Sequence, residues 1–183
     1  AYGENIMLGY HNLPEKTKET ITPDGGLRTG DLGHLDSEGY LYITGRVKEQ
    51  YKLDIGEYVA PAPLEETLKL SAYIDQVMLY GFNRPNNVAL IVAAMPAVEQ
   101  YAQSNGISGS GENLLKESSI RDLFQEELSV YGKDFKSFEL PQNFDLLAEE
   151  WSIDNGFLTP TLKLKREIVE QKFKGKIESL YSE

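Results

Sequence analysis

The sequence predicts an α+β fold in which a small, mainly antiparallel sheet is flanked by helices and preceded by a short β-rich segment. Two observations support this prediction. Residues 1–45 consist of short apolar runs and turns, whereas strand-like and helix-like segments alternate from about residue 47 onward. Two continuous apolar runs, "IDQVMLYGF" and "VALIVAAM", are separated only by "NRPNN". That arrangement is typical of a hairpin turn between two buried strands.

The first part of the chain contains signals for one helix and one hairpin. "NIMLGY" is a compact apolar run, "PEKTKETI" predicts a short helix with Pro14 at its first position, and "PDGG" predicts a turn. In "LGHLDSEGYLYITGR" the turn residues "DSEG" lie between two short runs, so this segment predicts a β-hairpin. The chain becomes polar and charged at "RVKEQYK". We therefore expect a domain boundary there, between segments 1–46 and 47–183.

The second part predicts a short hairpin followed by alternating helices and strands. The hairpin is "YKLDIGEYVA", which turns at Asp54 to Gly56, and helices are expected at "PAPLEETLKLS" and "PAVEQYAQ". "NGISGSGEN" predicts a loop, and "SSIRDLFQEELSVYGK" predicts an amphipathic helix with Ser118 or Ser119 as N-cap and Gly132 near its end. "SFELPQNFDLL" predicts a further strand, and "EIVEQKFKGKIESLY" predicts a terminal helix.

Composition limits the classes of partner. The formal net charge of -11 argues against broad nucleic-acid binding, although a small lysine cluster can still hold a phosphate because exposed charges are screened beyond about 8 Å. The chain has no cysteine, and His11 and His34 are far apart, so no metal site is expected. No apolar run approaches the roughly 18 residues of a membrane span, and the first residues lack the features of a secretory signal. We therefore expect a cytoplasmic protein.

Three short stretches contain residues suited to chemistry. In "LRTGDLG", Asp31 is either an ordinary turn aspartate or a carboxylate that accepts hydrogen bonds from paired hydroxyls, as on a nucleotide ribose. In "GRVKEQYKLDIGEYVAP", Arg46 offers a fork of donors, and the polar run is either a solvated linker or a hinge. In "LTPTLKLKR", the lysines form either a solubilising patch or a cationic arm that reaches phosphoryl or carboxylate oxygens.

Read in order, these stretches resemble a known enzyme superfamily. "IMLGYHNLPEKTKETIT", "LRTGDLGHLDSEGYLYITGRVKEQYKL", "GEYVAPAPLEE" and "GFLTPTLKLKR" are similar to the C-terminal third of the adenylate-forming (AMP-binding) enzymes. Within that superfamily, "YKLDIGEYVAPAPLE" and "NGFLTPTLKLKR" look most like the long-chain fatty acyl-CoA synthetases. The resemblance covers nearly the whole chain, and it implies that segment 1–46 ends a large AMP-binding domain while segment 47–183 forms a mobile C-terminal lid.

The resemblance implies a two-step ligase reaction. A fatty acid carboxylate attacks the α-phosphate of Mg²⁺-bound ATP to give acyl-AMP and pyrophosphate, and coenzyme A then displaces AMP to give the thioester. The lid rotates between the steps and presents a different face to the large domain in each. ATP, Mg²⁺ and coenzyme A would all require that large domain.

The resemblance also implies roles for individual residues. Asp31 matches the "TGD" aspartate that binds ribose hydroxyls, and Arg46 matches a nucleotide-contacting arginine. Lys48 occupies the hinge position, and Gly56 lies in a segment like the one that lines the pantetheine tunnel. Lys163 aligns with the catalytic lysine of adenylation in the motif "SGKxxRR".

The C-terminal motif departs from the familiar pattern at one position. Leu162 replaces the glycine that usually precedes the lysine, so the assignment to Lys163 depends on register, and Lys165 is the alternative. A cation at this site would stabilise the first transition state, because both reacting groups are anionic.

Several parts of a complete synthetase are not found in the sequence. There is no phosphate loop of the family type, no adenine-binding aromatic motif and no fatty-acid tunnel. We therefore expect a C-terminal fragment that is inactive or nearly so alone, with peripheral membrane association of the full-length enzyme left open. The alternatives are a non-catalytic binding module with the lid fold, and a synthetase for another carboxylic acid or for a carrier protein.

Overall fold

The computed structural model describes residues 1–182 and divides the chain into two compact units. The first unit is Ala1–Glu49, and the second begins at Gln50. The assignment of segments 1–46 and 47–183 to a large domain and a lid stays a prediction.

The first unit contains one helix and one hairpin. Helix α1, Pro14–Thr20, begins at the expected proline, and strands β1, Asp31–Leu35, and β2, Leu41–Arg46, pair antiparallel. In the turn between the strands, the Asp36 carboxylate accepts hydrogen bonds from the backbone N–H groups of Glu38 and Tyr40, both at 2.9 Å. These bonds, chiefly the one from Tyr40, lower the pKa of Asp36. The hairpin prediction is confirmed.

The run "NIMLGY" forms no strand. Leu8 is fully exposed, Gly9 has φ +152°, and the Tyr10 N–H donates to the Thr17 hydroxyl at 2.9 Å instead of to a strand. A strand needs a pairing partner as well as apolar content, and the described residues offer none here.

The second unit follows the predicted order of elements. Its strands and helices are β3 (Tyr51–Lys52), β4 (Tyr58–Val59), α2 (Pro61–Leu68), β5 (Ile74–Tyr80), β6 (Asn87–Ala93), α3 (Met95–Ser104), α4 (Ser118–Gly132), β7 (Pro141–Leu147) and α5 (Arg166–Ser179). Strands β3 and β4 form an antiparallel hairpin. Strands β5, β6 and β7 form a second sheet with β6 in the centre.

Strand β6 explains why its sequence is a continuous apolar run. Every residue of the strand is buried, because helices cover both faces of the sheet. Ala89, Ile91 and Ala93 belong to a core shared with α2, α3 and α4, whereas Val88, Leu90 and Val92 pack with Trp151, Phe157 and residues of α5. The alternation of side chains therefore places consecutive β6 residues in two different cores.

Three details differ from the expectations. Strand β7 pairs parallel to β6, which is possible because the long connection through α3 and α4 returns the chain to the same end of the sheet. The expected loop at "NGISGSGEN" is interrupted by a 3₁₀ helix at Gly111–Lys116. Helix α4 starts at Ser118 with Glu117 as N-cap and no side-chain cap, because Glu117 has extended backbone angles (φ −69°, ψ 132°) while Ser118 and Ser119 already lie inside the helix. The fold class, α+β with mainly antiparallel pairing, is nevertheless confirmed.

Candidate functional site

Asp31 and Arg46 lie side by side at one end of the first-unit hairpin. They are cross-strand partners in the register of β1 and β2, and Arg46 Nε lies 3.1 Å from Asp31 Oδ1. The Asp31 side chain is 28% exposed and the Arg46 side chain is 53% exposed. The Asp31 carboxylate therefore keeps oxygen lone pairs, and Arg46 keeps N–H donors, that an external hydroxyl or anion can reach.

Backbone contacts fix the hairpin end that carries this pair. The Asp31 N–H donates to the Thr29 hydroxyl at 3.1 Å, and the Val47 N–H donates to the Gly30 carbonyl at 2.9 Å. Gly30 has φ +78°, a conformation that favours glycine. The glycine before Asp31 thus permits the turn from which the carboxylate projects.

Lys48 lies on the last turn of the first unit. It is exposed within a 3₁₀ helix, Val47–Glu49. A single 3₁₀ turn has weak hydrogen bonds and changes conformation at low cost. The geometry is compatible with the hinge role, which stays a prediction.

Gly56 forms the turn of the β3–β4 hairpin in the second unit. Its φ is +95°, and its N–H donates to the Leu53 carbonyl at 3.0 Å. Leu53 is buried, so the residue that accepts this hydrogen bond is held in the core. Because no atom lies within 4 Å of the position of an added Cβ, the backbone conformation and not crowding explains the glycine.

Lys163 lies on an exposed tight turn that precedes α5. The Thr159 carbonyl accepts the Leu162 N–H at 2.9 Å, the Thr159 hydroxyl accepts the Lys163 N–H at 3.0 Å, and the Thr159 N–H donates to the Lys163 carbonyl at 2.8 Å. We call residues 159–163 the lysine turn. Lys163 is exposed, whereas Lys165 is half-buried on the arm that leads into α5. The turn therefore presents Lys163 to solvent more fully than Lys165.

Leu162 has a backbone conformation that is unusual for a leucine. Its φ is +59°, in the left-handed region. The resembled motif has glycine at this position, and glycine adopts that region without strain. The conformation thus fits the register in which Lys163 is the residue after the motif glycine.

Two residues that the sequence did not single out form an ion pair at the start of α5, three residues after Lys163. Arg166, the first residue of α5, forms an ion pair with Glu65 of α2, and Glu65 is only 7% exposed. The second Glu65 oxygen accepts the Leu79 N–H at 2.7 Å. The sequence signal was slight: Glu65 comes four residues after Pro61 and three before Leu68, on the face of α2 that is buried, so a charged residue there required a partner.

The structure brings some of the predicted residues together. Asp31 and Arg46 form a pair in the first unit, while Gly56, Lys163 and Lys165 belong to the second unit. Among residues 1–182, no group of three or more His, Asp or Glu side chains is arranged to hold a metal ion. No helix within the same range is long and apolar enough to cross a membrane.

Sequence comparison identifies relatives among fatty acid ligases. No protein-family model matches the chain. It is 37% identical over 182 residues to long-chain-fatty-acid–CoA ligase 5 of Mus musculus, and 37% identical over 183 residues to long-chain-fatty-acid–CoA ligase 1 of Homo sapiens. Each match covers 98% of this chain but 27% and 26% of the relative, respectively. The chain thus spans about a quarter of the length of the curated relatives it matches.

Structural comparison leads to adenylation domains. The adenylation domain of a carboxylate reductase from Mycobacterium chelonae has a TM-score of 0.78 and 28% identity, covering 98% of this chain and 27% of that one. The corresponding domain from Segniliparus rugosus, solved with AMP and a co-purified carboxylic acid, has a TM-score of 0.77 and 28% identity, covering 99% of this chain and 27% of that one. The expected resemblance is confirmed. The chain is therefore homologous to part of the long-chain fatty acid–CoA ligases and has the fold of the matching part of adenylate-forming enzymes.

Proposed function

We propose that this chain acts within an enzyme that activates a long-chain fatty acid with ATP and then transfers the acyl group to coenzyme A. The observation that carries the proposal is the 37% identity, over 98% of the chain, to proteins named long-chain fatty acid–CoA ligases. Since the match is only about a quarter of each relative, the chain works together with a large domain that binds most of the substrate.

The proposed reaction has two displacement steps. In the first, a fatty acid carboxylate oxygen attacks the α-phosphorus of ATP, the bond to the β-phosphate oxygen breaks, and pyrophosphate leaves. In the second, the sulfur of coenzyme A attacks the acyl carbon, the bond to the AMP oxygen breaks, and AMP leaves while the thiol proton passes to solvent. Only the first step brings two anionic groups together.

Lys163 is proposed to act in the first step. An ammonium group between the carboxylate and the α-phosphate reduces their repulsion and stabilises the charge of the transition state. Its place at the tip of an exposed turn supports this role, because a cation on a mobile unit can be present for adenylation and absent for thioester formation. Lys165 is the alternative, less exposed candidate.

The other predicted residues receive matching roles. The paired Asp31 and Arg46 would bind the ribose hydroxyls and the nucleotide, and Gly56 would lie against the pantetheine of coenzyme A. Lys48 would lie in the hinge between the two orientations. Mg²⁺ would enter with ATP and shield its phosphate charge, and no described residue of this chain is assigned as its ligand. We propose a cytoplasmic enzyme.

The test compares the chain alone with the chain in a complete enzyme. The 183-residue chain should release no pyrophosphate from ATP and fatty acid. The mouse ligase 5, with its matching 182-residue segment replaced by this chain, should release pyrophosphate and form acyl-CoA. The control is mouse ligase 5 in which the original mouse segment is rejoined at the same two junctions. Robust release by the isolated chain, or an inactive hybrid beside an active control, would contradict the proposal.

A further inference from the structure

The Glu65–Arg166 ion pair at the start of α5 joins three elements of the second unit. Arg166 begins α5, Glu65 lies on α2, and Arg166 Nη1 also lies 3.4 Å from the carbonyl of Leu79 on β5. Because the Leu79 N–H donates to Glu65, both charged side chains contact the same residue of β5. The pair therefore fixes the start of α5 against one point of the sheet and one point of α2.

Stability alone is a poor explanation for such a pair. Removing two charges from water costs free energy that their attraction often fails to recover, and well-packed apolar residues usually stabilise as much or more. What the guanidinium fork provides, with one nitrogen on the Glu65 carboxylate and another facing the Leu79 carbonyl, is fixed geometry. The geometry here concerns the segment that leads to Lys163.

The lysine turn has two arms, and each is anchored. On the first arm, buried Phe157 stacks on Phe173 of α5 at 5.8 Å between ring centroids. The second arm pairs with the first, since the Lys165 N–H donates to the Phe157 carbonyl at 2.8 Å, and it ends at Arg166. Arg166 is thus the anchor of the arm that carries Lys163, three residues away.

The charges of Glu65 and Arg166 also act on Tyr51 of β3, the first strand of the second unit. Burial raises the pKa of the Tyr51 hydroxyl, the charge of Glu65 raises it further, and the charge of Arg166 lowers it. Tyr51 is the second residue after the division between the units, and its hydroxyl donates to Asn87 Oδ1 at 2.7 Å.

We propose that Glu65 and Arg166 are positioning residues that hold the lysine turn in one register on α2 and β5, so that Lys163 moves with the second unit as a rigid part. The inference depends on the proposed function for its catalytic meaning. Both side chains are bonded to each other and to Leu79 of β5, so the proposal has them act through Lys163.

The kinetic test uses Glu65→Gln in the full-length enzyme. Glutamine keeps an oxygen that can accept the Leu79 N–H but removes the charge that orients Arg166. We expect kcat for adenylation to fall at least about tenfold, while KM for ATP and fatty acid changes less than about threefold. Thioester formation from supplied acyl-adenylate should also change less than about threefold. Arg166→Lys should reproduce the effect, because lysine lacks the fork that contacts both Glu65 and Leu79.

The matched control is another ion pair of the same type on the same helix. Arg84 pairs with Glu178 of α5, far along the helix from the lysine turn, so Glu178→Gln should leave both half-reactions within about twofold. In a Lys163→Ala background, Glu65→Gln should have less than about a twofold effect on adenylation, since the residue through which it acts is gone. Equal losses in both half-reactions, or an undiminished loss without Lys163, would overturn the inference.

Hydrogen exchange of the 183-residue chain separates this inference from the proposed function. Glu65→Gln should reduce the protection of the Leu162 and Lys163 amides at least about tenfold, whereas Glu178→Gln should not. Unchanged protection in Glu65→Gln would overturn the inference whether or not the enzyme is active. If the full-length enzyme makes no acyl-adenylate, the proposed function is contradicted. The hydrogen-exchange result then still tests whether Glu65 positions the lysine turn.

Discussion

Arg46 Nε lies 3.1 Å from Asp31 Oδ1, and the two residues are direct partners across the β1–β2 hairpin. Both side chains are partly exposed, so their attraction is worth only about 0–1 kcal/mol of folding free energy. A nucleotide could therefore recruit both groups at little cost to the fold. Because the pair contributes little to stability, a substitution in it tests nucleotide binding without unfolding the protein.

Replacing the carboxylate should affect the nucleotide much more than the fold. Asp31→Asn in the full-length enzyme should raise KM for ATP about tenfold or more, the equivalent of about 1.5–3 kcal/mol for a charged hydrogen bond. Urea unfolding should change by less than about 1 kcal/mol. Glu15→Gln, which removes the carboxylate of the exposed Glu15–Lys18 pair on α1, is the control and should leave KM for ATP unchanged. Similar KM values for both variants would exclude Asp31 from the nucleotide site.

The two lysines of the "LKLK" segment should behave differently. Lys163→Ala should slow adenylation by about 10²–10³-fold, because it removes the cation that faces the developing charge, and should spare thioester formation from supplied acyl-adenylate. Lys165→Ala should reduce adenylation much less, since Lys165 is less exposed. Single-turnover assays of each half-reaction provide the measurement. A larger loss in Lys165→Ala would transfer the catalytic role to that residue.

The left-handed conformation of Leu162 should be visible in stability. Leu162→Gly removes a strain of about 1–2 kcal/mol and adds about 0.5–1 kcal/mol of unfolded-state entropy, so we expect unchanged or slightly higher stability. Leu70 is equally exposed, at 70%, but has no positive φ. Leu70→Gly should therefore destabilise the chain by about 0.5–1 kcal/mol. Chemical denaturation that gives the same loss at both positions would argue against strain at Leu162.

A proline at the proposed hinge should separate the two half-reactions. Lys48→Pro fixes φ near −65° and restrains Val47 as well, so the 3₁₀ turn at Val47–Glu49 can no longer change freely. One half-reaction should slow at least about tenfold while the other changes little. Lys48→Ala keeps the backbone free and should leave both rates near wild type. Wild-type kinetics in Lys48→Pro would remove the hinge role.

Tyr51 should make stability depend on alkaline pH. Burial raises the pKa of its hydroxyl above the ordinary value near 10, so its contribution is complete below about pH 10 and decreases as the pH rises further, because the unfolded chain loses the proton first. The decrease should approach about 1.4 kcal/mol per pH unit.

The measurement is urea unfolding of wild type and Tyr51→Phe between pH 9 and pH 11. At pH 9 the variant should be less stable by about 1–3 kcal/mol, since Asn87 Oδ1 loses the donor that lies 2.7 Å away. That difference should shrink toward pH 11. Tyr58→Phe, which removes an exposed hydroxyl from the partner strand β4, should retain the wild-type dependence. A constant difference for Tyr51→Phe at every pH would contradict the prediction.

Most of the fold was predictable because its signals are local. Turn residues between alternating runs predicted the β1–β2 hairpin, and proline in the first turn predicted the starts of α1 and α2. The parallel pairing of β7 was not predictable, because it depends on how two intervening helices pack before the chain returns. The apolar run "NIMLGY" shows that apolar content alone does not specify a strand, since a strand also requires a partner.

The sequence by itself determined which residues are candidates for chemistry: the order of "TGD", "GRVK" and "LKLKR" selected Asp31, Arg46, Lys48 and Lys163. Only the tertiary structure decided how they are held. The Glu65–Arg166 contact joins residues 101 positions apart, and no local pattern specifies such a pairing. The left-handed backbone of Leu162 likewise depends on a turn closed by Thr159 on both sides. The sequence specifies the type of each side chain, but strand register, burial and backbone strain depend on packing between distant segments.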